Sequence, residues 1–138
     1  MTKINFIIEA GECNGVMNAH ITDSNETLSI VPSLKKGINN LEIVLDTPNT
    51  LKITLSGKTH RDTRIDPVTN NIIQDKYLKM IDVLIEGKPL DRNKVQQMFV
   101  IDTEKNGEIR TSYWGFNGTV LMDLEHEDPL HLHLYNII

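Results

Sequence analysis

Cysteine and aromatic residues are scarce in this chain of 138 residues, which contains one Cys, one Trp, three Tyr and three Phe. The single Cys13 excludes an intramolecular disulfide, and the neighbouring Glu12 disfavours the thiolate that a catalytic cysteine needs. We expect Cys13 to lie on the turn between the first two strands, where Ser would replace it without loss of folding or binding. No apolar run reaches the ~20 residues of a membrane helix, and no charged-then-apolar leader opens the sequence. We therefore expect a soluble protein with no signal peptide and no membrane partner.

Basic residues are also in the minority, because 14 Lys and Arg stand against 19 Asp and Glu, a formal net charge of −5. Nucleic-acid binding depends on clustered Lys and Arg, and Lys35-Lys36 is the only adjacent basic pair in the chain. The sequence also lacks the Gly-x-Ser-x-Gly motif, a phosphate-binding glycine loop and a pair of carboxylates in a recognisable glycosidase context. These absences predict a protein that is not an enzyme and does not bind nucleic acid.

Short stretches with the two-residue alternation of a half-buried strand recur along the chain. The clearest examples place apolar residues at every second position: Leu41, Ile43 and Leu45 in one, and Leu51, Ile53 and Leu55 in the next. Asn14-Gly15 is a strong hairpin signal, which predicts that strands at 3–9 and 16–21 are antiparallel neighbours. A strand at 76–86 is apolar on both faces and is expected to be covered on both sides. Asp91 is a candidate N-cap, so a short helical turn is expected over 91–96.

Roughly eight to ten short strands in a chain of this length predict one all-β domain spanning residues 1–138. The unequal loop lengths favour an antiparallel β-sandwich that is jelly-roll-like, with an immunoglobulin-like sandwich or a small closed barrel as alternatives. One long polar loop, residues 57–74, interrupts the strand pattern. Apart from the turn at 91–96, no helix is expected.

The polar loop supplies the candidate metal ligands Asp62, Asp66 and Asp75, with amides at Asn70 and Asn71. Calcium takes about six to eight oxygen ligands, and a loop with these side chains could wrap such an ion. The spacing is not that of an EF-hand loop, and two arginines within the loop would offset part of its charge. We favour the alternative, a solvated loop in which Asp and Asn form turns and no cofactor is bound.

A second group of possible ligands lies near the C-terminus, where His131 and His133 follow an acidic stretch at 125–128. On a strand these two imidazoles point to the same side, so together they could hold a transition metal. The alternative that we adopt is a row of polar side chains facing solvent.

The aromatic residues concentrate in the turn 112–119, where Tyr113, Trp114 and Phe116 lie close together and glycines stand on either side of Phe116-Asn117. Such a cluster either plugs the end of a core or offers a stacking surface to a ligand. We expect Trp114 to be a core plug and one of the three rings to be largely exposed. If the turn binds a sugar, its candidate contacts are Tyr113, Trp114, Phe116 and Asn117, since flat rings suit the apolar faces of pyranoses and the amide can bond their hydroxyls.

Several short stretches in the C-terminal half of the chain form a pattern when taken together: Asp62-Thr63 through Asp66, Asn71-Ile72-Ile73, Asp75-Lys76, Ile81, Val83, Glu86-Gly87 and the aromatic turn. With these stretches, the C-terminal half resembles short β-sandwich domains in virion proteins of tailed bacteriophages. It is similar, more loosely, to calcium-dependent xylan-binding modules with a jelly-roll fold. The resemblance implies a non-catalytic structural or adhesive part. In xylan-binding modules, loop carboxylates hold a calcium ion that touches the sugar hydroxyls, and the matching positions would be among Asp62, Asp66 and Asp75.

Two functional hypotheses follow. The first is a structural component of a phage virion, such as a capsid decoration, fibre or tail-associated subunit, which is made in the host cytoplasm and docks on other virion proteins or on copies of itself. The second is a carbohydrate-binding module that recognises a surface glycan through an aromatic platform.

Overall fold

The computed structural model describes residues 2–23, 28–45, 50–103 and 107–122. In chain order the elements are β1 (Thr2–Gly11), β2 (Asn18–Asp23), β3 (Ser29–Ile30), β4 (Gly37–Leu45), β5 (Leu51–Ser56), a 3₁₀ turn (His60–Asp62), β6 (Thr63–Ile65), β7 (Ile72–Asp75), β8 (Tyr77–Ile85), β9 (Lys88–Pro89), α1 (Arg92–Gln97), β10 (Phe99–Thr103), β11 (Gly107–Arg110), β12 (Tyr113–Trp114) and β13 (Gly118–Met122). Within these ranges no helix is long and apolar enough to cross a bilayer. The strand predicted at 130–138, with His131 and His133, lies outside the described residues.

The strands form two large sheets and a separate two-stranded hairpin, and their pairings are antiparallel. The first sheet has the order β12-β8-β1-β4, with β9 paired to β8, and the second has the order β11-β10-β13-β5-β2-β3. The hairpin joins β6 to β7. The chain passes repeatedly from one sheet to the other, which is the connectivity of a jelly-roll-like sandwich.

A hydrophobic core lies between the two sheets. From the first sheet, β1 contributes Ile4 and Phe6, and from the second sheet β5 contributes Leu51 and Leu55, all of them buried. Alternate side chains of a strand point to the same face, so the alternation predicted at 41–45 and 51–55 corresponds to the inner faces of these strands. The predicted antiparallel β-sandwich is confirmed.

The turn at Asn14-Gly15 does not form the predicted hairpin. β1 pairs with β4 and β8 in the first sheet, whereas β2 pairs with β3 and β5 in the second. Asn14 has φ 58° and Gly15 has φ 106°, the left-handed backbone that tight turns require, but the chain uses this turn to cross between sheets. Cys13 lies on this turn between β1 and β2, as expected, and its side chain is fully buried.

β8 departs from the alternation expected for residues 76–86. Its register with β1 shifts after Ile7 and leaves Ile81 as the extra residue of a β-bulge. Met80 before the bulge and Val83 after it therefore both face the core and are buried, although strict alternation would place them on opposite faces. The other face carries the exposed Lys79 but also the half-buried Asp82 and Leu84, so the cover predicted for both sides is only partial on this side.

The helical turn predicted over 91–96 is confirmed as α1. The side chain of Asp91 accepts a hydrogen bond of 2.8 Å from the backbone N–H of Asn93, and Val95 is buried in the core. The segment predicted as a long loop contains instead the 3₁₀ turn and the β6–β7 hairpin. The hairpin pairs Thr63 with Asp75, so it brings together residues from distant positions of that segment.

Candidate functional site

The aromatic turn lies at the edge of the first sheet, where β12 pairs with the start of β8. The register sets Tyr113 opposite Lys79 and Trp114 opposite Leu78. Successive residues of a strand point to opposite faces, and accordingly Tyr113 is 44% exposed whereas Trp114 is fully buried. One strand thus places one ring at the surface and the next in the core.

Trp114 is held in the core by its ring and by its indole nitrogen. The ring packs edge-to-face on Phe99, with centroids 5.1 Å apart and planes at 66°. The indole N–H donates a 2.9 Å hydrogen bond to the carbonyl oxygen of Thr111, which satisfies the polar atom that burial would otherwise leave unpaired. Trp114 is therefore a core plug, and its ring is not available to a ligand in this conformation.

Tyr113 stacks on Tyr77, with ring centroids 4.9 Å apart and planes at 23°. The Tyr77 ring in turn lies over Gly11, where any Cβ would overlap it. The hydroxyl of Tyr77 donates a 3.1 Å hydrogen bond to Glu9. The exposed ring of Tyr113 thus rests on a second ring that is itself fixed on the surface of the first sheet.

Asp75 anchors the hydroxyl of Tyr113. Its Oδ2 accepts from Tyr113 at 2.9 Å, and its Oδ1 accepts from Lys58 Nζ and from Thr63 Oγ1, both at 2.7 Å. Burial alone would raise the pKa of Asp75, but the bonds from Lys58, Thr63 and Tyr113 outweigh it and lower the pKa. Burial and the nearby Asp75 carboxylate together raise the pKa of Tyr113 to about 12. Tyr113 therefore carries a neutral phenol at every physiological pH. We call its exposed ring, stacked on Tyr77, the Tyr113 platform.

Asp62 is enclosed by donors. Its Oδ2 accepts from the Thr59 backbone N–H at 2.7 Å, from the Thr59 hydroxyl at 3.2 Å and from Lys76 Nζ at 3.2 Å, while Oδ1 accepts from Asn14 Nδ2 at 3.2 Å. The bond from the Thr59 backbone is the largest influence on its pKa. With those from Asn14 and Lys76 it outweighs burial and lowers the pKa of Asp62 to about 2.

Asp66 lies apart from both, in the turn that joins β6 to β7. Its Oδ1 accepts from the backbone N–H of Val68 at 2.8 Å and of Thr69 at 3.4 Å, the pattern of an Asx turn. No group of three or more His, Cys, Asp and Glu side chains suited to a metal occurs among residues 2–23, 28–45, 50–103 and 107–122. Asp62, Asp66 and Asp75 thus each serve a separate set of protein donors.

Asn117 forms a two-sided clamp on Lys58. Its Oδ1 accepts from the Lys58 backbone N–H at 2.9 Å, and its Nδ2 donates to the Lys58 carbonyl oxygen at 2.6 Å. Phe116 beside it is partly buried and packs against the core. Of the four candidate sugar contacts, Tyr113 and Asn117 therefore lie at the surface, and Trp114 and Phe116 support the turn from below.

A separate groove of about 580 Å³ lies on the outer face of the second sheet. Its floor includes His20, Lys52, Thr54 and Leu121, which come from three neighbouring strands. His20 Nε2 lies 2.7 Å from the hydroxyl of Ser29 on its rim. The groove has hydroxyl groups, the imidazole of His20 and one ammonium group, but no Phe, Tyr or Trp is among the described residues that line it.

Three side chains of the site were not singled out as site residues from the sequence: Tyr77, Lys58 and Lys76. The position of Tyr77 at the start of the strand predicted over 76–86 is a usable signal, since a Tyr at the end of a strand commonly keeps its polar hydroxyl at the surface. The lysines carried no such local signal, because their partners are 17 and 14 residues distant.

No protein-family model and no curated protein matches this chain. Two solved structures do match in fold. One is the selenomethionine form of vCBM60. Its description concerns circular permutation as an evolutionary link between two families of calcium-dependent carbohydrate-binding modules. It has a TM-score of 0.57 and 8% identity, over 89% of this chain and 91% of that one. The chain shares the fold of vCBM60.

The second structure is vCBM60 in complex with galactobiose, with a TM-score of 0.54 and 10% identity over 88% of this chain and 97% of that one. The coverage is nearly complete on both sides, so the likeness extends over the whole sandwich and not over a fragment of it. At 8–10% identity it establishes the fold alone. The resemblance to calcium-dependent modules is thereby supported at the level of the fold, whereas neither structure supports a virion role.

Proposed function

We propose that this chain is a non-catalytic carbohydrate-binding module that binds a glycan on the exposed ring of Tyr113. The observation that carries the proposal is a rigid, exposed aromatic ring on a sandwich with the fold of vCBM60. Stacked on Tyr77 and bonded to Asp75, the ring of Tyr113 is already ordered before a ligand arrives. A preorganised contact saves the entropy that would otherwise be lost on binding.

Polar groups lie around the ring where sugar hydroxyls would reach them. The Tyr113 O–H group donates to Asp75 while its oxygen can still accept, and the exposed Asn117 keeps one amide hydrogen beyond its bond to Lys58. Gly115 allows the turn to approach these groups closely, since a Cβ there would lie only 3.3 Å from both Lys58 Nζ and the Tyr113 ring. Apolar stacking with a few placed polar groups is the usual composition of a small-ligand site.

The groove on the second sheet is the competing position for a glycan on the same fold. It has a volume of about 580 Å³, but the imidazole of His20 is the one ring among its described lining residues, and His20 is bonded to Ser29. We place the ligand at Tyr113 because burial of an aromatic face contributes most of the energy in such contacts.

Isothermal titration calorimetry with galactobiose and xylohexaose tests the proposal, with binding to insoluble polysaccharides as a screen for other glycans. Tyr113→Ala should weaken binding about tenfold or more, since loss of a stacking ring is worth about 1.4 kcal/mol or more. Tyr113→Phe is the matched control that keeps the ring, and it should retain most of the affinity. Full affinity in Tyr113→Ala with loss of affinity in Lys52→Ala would move the site to the groove. No binding to any glycan would reject the function.

A further inference from the structure

The solved structure of vCBM60 is described with two families of calcium-dependent carbohydrate-binding modules, yet Asp62, Asp66 and Asp75 of this chain do not fit a shared calcium site. We infer that the ammonium groups of Lys58 and Lys76 take the place of a divalent cation among the loop carboxylates, and that glycan binding at Tyr113 therefore needs no calcium. The assignment of the lysines stands on their contacts alone. The statement about glycan binding rests on the proposed function.

Lys76 is the more deeply placed of the two lysines. It is only 6% exposed, and its Nζ lies 3.2 Å from Asp62 Oδ2 and 2.9 Å from the carbonyl oxygen of Gly57. A carboxylate oxygen and a backbone carbonyl oxygen from two segments of chain are the kinds of ligand that calcium takes. Here the same oxygens bind an ammonium group that belongs to the protein.

Lys58 performs the corresponding role for Asp75. Its Nζ lies 2.7 Å from Asp75 Oδ1, and the side chains of this pair are only 14% and 12% exposed. The backbone of Lys58 is fixed by Asn117 on both its N–H and its carbonyl group. The ammonium group is therefore held against the carboxylate that anchors the Tyr113 hydroxyl.

The hydrogen bonds of the carboxylates also oppose a metal ion. Asp62 accepts four bonds and Asp75 accepts three, all from N–H or O–H donors. A calcium ion needs carboxylate oxygens at about 2.3–2.6 Å, so it would have to displace several of these donors. Lys58 and Lys76 contribute two positive charges and Asp62 and Asp75 two negative charges, and the four side chains are already neutral as a set. An added divalent ion would leave two partly buried ammonium groups without counterions, which is costly.

The two ion pairs tie together the segments that form the platform. Lys76 joins the loop at Gly57 and Asp62 to the start of β8, and Lys58 joins the same loop to the end of β7 beneath Tyr113. In a calcium-dependent module an ion would hold such loops, so the lysines supply this order without a free ion. The expected consequence is a site that is equally well formed in calcium and in chelator.

Nuclear magnetic resonance of ¹⁵N-labelled lysine ammonium groups tests the inference directly. Lys58 and Lys76 should give two slowly exchanging ammonium signals that stay in place when millimolar calcium replaces EDTA. Lys58→Met and Lys76→Met should each remove one signal, and Lys76→Met should lower Tm by about 10 °C, because removal of one partner of a buried pair strands the other. Lys79→Met, an exposed lysine on the same strand as the Tyr77 ring, is the matched control and should leave both signals and Tm unchanged. If Lys76→Met does not fold, Lys58→Met with the wild-type spectrum still assigns both signals.

Glycan binding is then measured in EDTA and in calcium. The dissociation constant should agree within about twofold between the two conditions, because a site that holds no calcium has no ion for EDTA to remove. Binding seen only in calcium, or ammonium signals that shift or vanish when calcium is added, would overturn the inference while leaving the proposed function in place. Absence of glycan binding in both conditions would reject the proposed function, and the ammonium signals would still decide the assignment of the lysines.

Discussion

Truncation of Trp114 to alanine should remove a large part of the stability of the fold. The side chain is fully buried and packs edge-to-face on Phe99, so its loss leaves a cavity at the edge of the core. Trp-to-Ala changes at such positions cost about 3–5 kcal/mol. The change also leaves the Thr111 carbonyl without its indole partner, which adds to the cost. The total free energy of unfolding of a native protein is about 5–15 kcal/mol, so this single substitution would remove a large share of it.

Urea denaturation followed by circular dichroism measures this loss without the fluorescence of the removed indole. With an m-value of about 2 kcal/mol/M, a loss of 4 kcal/mol lowers the midpoint by about 2 M. Trp114→Phe keeps most of the ring and loses the N–H donor, so it should fall between wild type and Trp114→Ala. Tyr113→Ala removes an exposed ring and should lower the midpoint much less. Equal midpoints for wild type and Trp114→Ala would refute the assignment of Trp114 as a core plug.

Three further outcomes are expected. The pKa of Asp62 is lowered from 3.8 to about 2, so its ionised form stabilises the fold above pH 3.8 and this contribution is lost as the pH falls toward 2. Asp62→Asn should therefore lower Tm at neutral pH and flatten the acid part of the plot of Tm against pH. An unchanged plot would contradict this. An ultraviolet titration should show one phenol ionising near pH 12, the raised pKa of Tyr113, and this late step should be missing in Tyr113→Phe. Gly11→Ala should cost about 1–3 kcal/mol in chemical denaturation, because its Cβ would overlap the Tyr77 ring, whereas Gly87→Ala meets no neighbour and tests only the backbone.

The elements with local signals were predictable from the sequence. The alternation at 41–45 and 51–55 reports burial of one face, and the Asp91 cap reports the start of α1, because both depend on residues a few positions apart. The class of fold follows from many such strands in one chain. The placement of Trp114 in the core and of one neighbouring ring at the surface also follows, since successive residues of a strand point to opposite faces.

The predictions that failed depended on pairing between distant segments. Asn14-Gly15 has the backbone of a hairpin turn, yet whether two strands pair or separate into different sheets is decided by the packing of the whole sandwich. The bulge at Ile81 reverses the alternation of β8. No residue type in the sequence marks the position of this one extra residue. The β6–β7 hairpin is polar at most of its positions, so its strands resemble loop in sequence.

The charge of the candidate site was the hardest feature to predict, for a reason that lies in strand geometry. Asp75 and Lys76 are neighbours in sequence, which suggests that they neutralise each other. They sit where β7 passes into β8, and their side chains bind different partners: Asp75 contacts Lys58, and Lys76 contacts Asp62. Counting the acidic residues of this segment without their distant lysines therefore overstates the carboxylate oxygens available to calcium, whereas the actual partners leave a neutral cluster beneath the Tyr113 platform.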